Sequence, residues 1–265
     1  KGEYILAKEK YNELLKKDPL HFEALVNRAD INLIFGDIKR SYQDYYSALK
    51  IKENSSDVIY NLSRLFLLEG KFSEGWKKFE SRWRTVQFKK HFKGRSLIKW
   101  DGVKHDGLNL LLWGEQGLGD QILFLSQLKQ LLSMEIYPVI EVDERLVKII
   151  LRSFPDLKVF PYGQTPSDLV DKLTAQIPLG SLGSVIFKDT SCKASSLTFI
   201  KPDEYKTEEL RKKYLEKSSD KLLVGISWMS INKQFGSIKS LPLNNWRKIL
   251  TFNEVNYYSL QYGKV

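Results

Sequence analysis

The sequence predicts an α + α/β protein: a block of stacked helical repeats, then a pair of doubly wound α/β units of which the second is incomplete. Three observations predict it. Residue columns recur at a fixed spacing of 34 through the first part of the chain. Strand-sized apolar runs then alternate with helix-sized amphipathic ones. A second alternation of that kind opens near Leu222, after a charged stretch. The expected divisions are 1–85 for the repeats, 86–107 for a connector and 108–200 for the first α/β domain. A linker comes next at 201–219, and 220–265 is the start of the second domain.

Gly2, Gly36 and Gly70 hold the first column. Tyr4, Ile38 and Phe72 hold the second, Ala7, Ser41 and Gly75 the third, and Tyr11, Tyr45 and Phe79 the fourth. Each column has a physical reason. A glycine lets the chain reverse between two helices, and a large residue two places on plugs the turn. A small residue lets neighbouring helices approach, and an aromatic one helical turn later fills the groove between them. Pro19 marks the start of the next repeat. The first repeat keeps only its second helix. Such helices cannot bury their apolar faces alone and stack on neighbours. The last of them, near 73–83, is therefore expected to pack against the α/β domain, with Trp76, Phe79 and Trp83 as one apolar stripe.

Residues 89–99 are basic and irregular, and Trp100, Asp101 and Gly102 predict a turn. The run 108–113 reads as a buried strand that leads straight into Gly114, Gly117 and Gly119. From Asp120 the spacing of Ile122, Phe124, Leu125, Leu128, Leu131 and Leu132 predicts a helix. Strand, glycine-rich turn and helix together place free backbone N–H groups and a positive dipole end at one point, which suits an anion. The glycine spacing is not the dinucleotide fingerprint, and no Gly-Lys-Ser/Thr comes after it. A plain tight turn is the alternative. Further strands are expected at 137–142, 157–160 and 176–179, a helix capped by Asp143 at 143–154, and a turn at 180–183. The stretch 201–217 is charged and helical in its second half. Then come a strand at 222–227, a loop at 228–240, a helix at 243–252 and a strand at 257–260. Successive strand–helix units imply parallel sheets, and two of them suggest domains facing each other across a cleft.

Composition narrows the function. The 265 residues are 42% hydrophobic and 28% charged, an ordinary globular balance. No apolar run approaches the roughly 20 residues that span a bilayer. The single cysteine, Cys192, forms no internal disulfide and reads as an inert thiol in a cytoplasmic protein. His21, His91 and His105 are far apart, so no metal site is expected. The net charge of +10 admits nucleic acid, a membrane surface or a phosphorylated ligand. Its densest patch is Arg82, Arg84, Lys89, Lys90, Lys93 and Arg95. No nucleic-acid-binding pattern accompanies it, which leaves general lysine richness, an anionic small ligand or peripheral contact with lipid headgroups. The chain opens at Lys1 and stops just after an apparent strand, so segments beyond both ends are expected.

The column pattern resembles the tetratricopeptide repeat. Glu74-Gly-Trp, Arg82-Trp-Arg, Lys99-Trp-Asp-Gly and Trp113-Gly-Glu-Gln-Gly-Leu-Gly-Asp-Gln resemble bacterial repeat proteins fused to a heptosyltransferase-like glycosyltransferase domain of GT-B type. Val224-Gly-Ile-Ser-Trp, Lys239-Ser-Leu-Pro-Leu and Leu260-Gln-Tyr-Gly are similar to the opening of that family's second domain. The resemblance covers nearly the whole chain.

It implies a metal-independent enzyme that moves a sugar from a nucleotide-sugar donor to a glycan, lipid or protein, with no further cofactor. It also implies repeats that take a protein or peptide partner. The family's Gly-Asp pair at its first helix falls on Gly119 and Asp120, and the aspartate would act as general base on the acceptor hydroxyl. Capping its own helix is the other role for Asp120, and both can hold at once. Glu115 and Gly117 belong to the same substrate loop. Glu115 either assists there or is a solvent-exposed loop acid. Ser227 and Lys239 match the family's donor-phosphate residues, with Ser230, Asn232 and Lys233 as weaker candidates; for Lys239 a solvated surface lysine is the alternative. The nucleotide-binding remainder of the second domain would lie past Val265, so these residues alone are expected to be inactive. A non-catalytic repeat scaffold that binds a protein is the alternative function.

Overall fold

The computed structural model describes residues 2–89, 95–187, 199–215, 221–230 and 236–261. The chain divides into two compact units, Gly2–Lys201 and Pro202–Val265.

The first unit opens with five helices: α1 Gly2–Lys17, α2 Phe22–Ile34, α3 Ile38–Ile51, α4 Ser56–Leu68 and α5 Phe72–Phe79. The repeating glycines end α2 and α4. Gly36 and Gly70 sit at φ 76° and 75°, the left-handed region that glycine enters without a Cβ penalty. After α2 the Asp37 N–H donates to the Asn32 carbonyl at 2.8 Å and the Gly36 N–H to that of Leu33 at 3.0 Å. After α4 the Lys71 and Gly70 N–H groups repeat the pattern on Phe66 and Leu67. These paired bonds satisfy the last carbonyls of each helix and reverse the chain. The small-residue column sits where helices touch. Ser41 is fully buried and donates to the Ala29 carbonyl, and a Cβ on Gly75 would fall 2.7 Å from the Leu67 side chain. Tyr45, in the aromatic column, is buried and donates its hydroxyl to Asp30.

A 3₁₀ turn over Glu80–Arg84 and a short α6, Val86–Lys89, lead to a parallel sheet. In chain order its parts are β1 Ile98–Lys99, β2 Leu110–Trp113, α7 Leu118–Leu125, α8 Leu128–Ser133, β3 Val139–Val142, α9 Glu144–Ser153, β4 Lys158–Pro161, α10 Ser167–Val170 and β5 Ala175–Pro178. A 3₁₀ turn, Leu179–Ser181, and α11 Leu182–Ile186 close it. The strand order is β1-β5-β2-β3-β4, parallel throughout, with Leu112 opposite Ile140 on one side and Ile177 on the other. All four residues of β2 are buried, as expected of a central strand covered on both faces. On one face Leu110, Leu112, Ile140, Val142 and Ile177 pack under Phe124, Leu128 and Leu146, and under Trp76 and Phe79 from α5. The other face carries Leu111, Trp113 and Leu173 with Trp83 and Leu97.

Three expectations are corrected here. The basic stretch 89–99 is not irregular to its end: Ile98 and Lys99 pair with Ala175 and Gln176, and Trp100 after them is buried. So short a strand, set among basic residues, exists only because β5 offers it an edge. The stretch 180–183 is not a loop reversal but the passage from the 3₁₀ segment Leu179–Ser181 into α11. Its glycines are there for close approach, since a Cβ on Gly183 would lie 2.3 Å from the Trp76 ring and one on Gly180 would lie 2.4 Å from Glu115. The stripe of three aromatics is divided: Trp76 and Phe79 join the helix-covered face, and Trp83 joins the other. The change from α-helix to 3₁₀ after Phe79 turns Trp83 away.

The second unit holds α12 Glu204–Leu215, β6 Leu222–Ile226, α13 Gly236–Lys239, a 3₁₀ turn Leu243–Trp246, α14 Arg247–Leu250 and β7 Val255–Ser259. β6 and β7 are parallel, Leu222 facing Val255 through to Ile226 facing Ser259. The helix expected at 243–252 is a 3₁₀ turn and then one α-turn, because Asn244 and Asn245 are poor helix formers.

Candidate functional site

β2 has β3 on one side and β5 on the other, so the chain leaves β2 in one direction and returns on its opposite flank. In open parallel sheets the carboxyl ends of two such strands bound the crevice where ligands bind. The loop from Gly114 to Gly117 lies there. Its strained residue is not a glycine: Gln116 has φ 60°, while Gly117 is extended at φ −84°. A left-handed conformation costs a non-glycine residue about 1–2 kcal/mol, and such strain gathers at functional loops. The Gln116 side-chain N–H₂ has no hydrogen-bond partner among the described residues.

Gly117 caps α7, and Asp120, in its first turn, accepts the Gly117 N–H through Oδ2 at 3.1 Å. The capping role of Asp120 is thus present. Asp120 is half-buried, and nothing lies within 4 Å of where a Gly119 Cβ would be. Neither Gly117 nor Gly119 has the positive φ that would demand glycine.

Glu115 is not a solvent-exposed acid. It is 2% exposed, and both oxygens are engaged. Oε2 accepts Arg82 Nε–H at 3.0 Å, and Oε1 accepts Arg82 Nη2–H at 2.5 Å and the Gly180 N–H at 2.9 Å. Arg82 is fully buried and spends its remaining donors on the Phe79 carbonyl, Glu80 Oε1 and Ser181 Oγ. A guanidinium has five N–H donors, and here each has an acceptor. The basic patch read from the sequence is therefore not one surface. Arg82 is interior, Arg95 pairs with Glu141 at 2.6 Å, and Lys90 and Lys93 lie outside the described residues.

Burial would raise the Glu80 carboxyl, but Arg82 and then Lys99 outweigh it and hold it below its ordinary value. Tyr60, on α4, also belongs to this neighbourhood. Burial pushes its hydroxyl up, Arg64 and Arg82 oppose, and the Asp120 and Glu115 carboxylates add to the rise. Sequence reasoning missed Tyr60 and the interior role of Arg82, since both depend on contacts between the repeats and the sheet.

No protein-family model matches the chain. It is 23% identical over 275 residues to protein FlbA of Caulobacter vibrioides, an alignment that takes in 96% of this chain and 45% of FlbA. The chain thus spans less than half the length of that relative.

In the second unit, Ser227 is exposed just after β6. Its hydroxyl and the N–H groups of Trp228 and Met229 all donate to Gln261 Oε1, at 3.3, 3.1 and 2.9 Å. Gln261 Nε2 returns a bond to the Met229 carbonyl. Three donors thus converge on one oxygen, the point that the Gln261 amide occupies. Gln261 was part of a motif in the sequence but not a candidate, because its contact spans the loop. Lys239 ends α13 and is exposed. The Ser230 N–H donates to Ser240 Oγ. Asn232, Lys233 and Cys192 lie outside the described residues.

Asp120 and Glu115 belong to one compact unit, Ser227 and Lys239 to the other. Among the described residues no group of three or more His, Cys, Asp or Glu could hold a metal ion, and no helix is long and apolar enough to cross a membrane. His21 caps α2 by accepting the Ala24 N–H.

Proposed function

We propose that this chain belongs to a metal-independent glycosyltransferase of GT-B type, with repeats of the tetratricopeptide kind that bind a partner. The enzyme moves a sugar from a nucleotide-sugar donor to a hydroxyl of a glycan, lipid or protein. The observation that carries the reading is the loop after β2: a strained Gln116 with an unpartnered amide, open space over Gly119, and Asp120 held by one oxygen.

In this reading Asp120 Oδ1 takes the proton of the acceptor hydroxyl as its oxygen attacks the anomeric carbon. The bond from that carbon to the donor's phosphate oxygen breaks, and the nucleotide leaves with the electron pair. Donor-phosphate binding is assigned separately to the second unit, where Ser227, the N–H groups beside it and Lys239 offer hydrogen-bond donors and a cation to the leaving charge. Gln261 Oε1 then marks the position of a phosphate oxygen.

A thermal-shift screen tests this on the full-length natural protein, with UDP-, GDP-, ADP- and CMP-sugars. A ligand that binds only the folded state raises its melting temperature. A shift with one nucleotide class, lost in Lys239→Ala and kept in Asp120→Ala while transfer is lost, supports the roles given. No shift with any donor sinks the reading.

A second reading has its own observation. A cavity of about 410 Å³ among the repeats is lined by Lys8, Asn12, Arg28, Asn32, Arg40, Gln43 and Asp44. Arg28 is paired with Asp44 and Asn12, so Lys8, and Arg40 with its looser contact to Asp37 at 3.4 Å, are the cations offered to an acidic peptide, and the repeats would serve as a docking platform with or without catalysis. Peptide capture that survives Lys8→Glu with Arg40→Glu would count against it.

A further inference from the structure

The second face of the sheet has an opening that the transfer reading leaves unused. A cavity of about 650 Å³ is bounded by Trp83, Leu97, Trp113 and Pro178, with Gln176, Glu80, Lys89 and Lys99. Trp113 and Pro178 are register partners at the carboxyl ends of β2 and β5. The Trp83 ring stands 5.7 Å from that of Trp113 at 55°. None of these residues belongs to the loop 114–120.

The polar groups around the cavity are unequal. Gln176 is spent on backbone groups of Arg95 and Leu97. Glu80 is spent on Arg82 and Lys99. Lys89 is exposed at the mouth and has no ion pair among the described residues. The walls thus offer aromatic and aliphatic surface, and the mouth offers a cation. Sites of this size bind small molecules through an apolar lining and a few placed polar groups.

We propose that this cavity binds an amphipathic anion. Its apolar body packs against Trp83, Leu97 and Pro178, and its carboxylate, sulfonate or phosphate ester meets Lys89. Both an aromatic acid and the phosphate end of an alkyl lipid have this chemistry. The site is independent of sugar transfer and stands or falls separately.

The test uses the whole chain and 8-anilinonaphthalene-1-sulfonate, which has an apolar aromatic body, an anionic end and fluorescence that rises in apolar surroundings. One saturable site is expected. Lys89→Glu, at an exposed position, weakens it roughly tenfold, and Leu97→Trp, which fills the cavity, removes it. Displacement by indole-3-propionate assigns the aromatic source, and displacement by decyl phosphate the lipid source; either supports the site. Displacement by 1-decanol as effective as by decyl phosphate overturns the anionic part. Binding that does not saturate, or that is unchanged in Lys89→Glu with a wild-type circular dichroism spectrum, overturns the whole. Should Leu97→Trp not fold, the Lys89→Glu comparison decides alone.

Discussion

Arg82 is the side chain through which the repeats and the sheet communicate. A buried guanidinium with all donors engaged costs a great deal to orphan: removing one member of a buried ion pair typically destabilises by about 3–5 kcal/mol, whereas replacing both with apolar groups costs far less. Arg82→Met and Glu115→Leu are each expected to lose stability on that scale in urea unfolding, and the double variant less than their sum. Glu80 adds a pH dependence. Its folded carboxyl titrates below the ordinary value of 4.5, so its stabilising contribution is complete above that value and disappears as the pH falls through the folded one. The melting temperature should drop on acidification below about pH 4.5, and Glu80→Gln should flatten that part of the profile. None of this was legible along the chain. Arg82 sits in a dense run of basic residues, and nothing local marks which of them finds a carboxylate 33 positions later. The capping role of Asp120 was legible, because an aspartate in the first turn of a helix meets N–H groups that have no partner within it. The conformation of Gln116 was not, since it is imposed by strands on either side of the loop.

At the scale of elements, the 34-residue spacing located α1 to α5 well because each turn carries its own chemistry. Gly36 and Gly70 are left-handed and their missing Cβ atoms would meet nothing within 4 Å. Substitution therefore acts through backbone strain alone. Gly36→Ala and Gly70→Ala should each cost about 1–2 kcal/mol and add in the double variant, since the sites share no contact; thermal unfolding monitored by circular dichroism measures this. β1 shows the opposite case. Two residues have no pattern of their own, and their pairing comes from β5, far along the chain. Gly180 and Gly183 misled for a related reason: glycine signals a turn locally, but here it admits a carboxylate and an indole from other elements.

For the whole molecule, the change in architecture after residue 85 is not a change in compactness, because Trp76 and Phe79 lie in the same core as Leu112 and Ile140. Residues 2–201 are expected to fold alone, with a cooperative melt and resistance to limited proteolysis. Residues 86–201 are expected to aggregate or stay unfolded. A soluble, cooperatively melting 86–201 fragment would refute the shared core.

The flat seat of Trp76 on Gly183 has a practical consequence for anyone building chimaeras. The helical array is not an interchangeable cassette. A graft joined at residue 85 severs Trp76, Phe79 and Arg82 from Gly183, Phe124 and Glu115, and a foreign array would present its own shapes to a surface moulded for these. A successful exchange has to carry both sets of positions together, or cut where the two compact units meet.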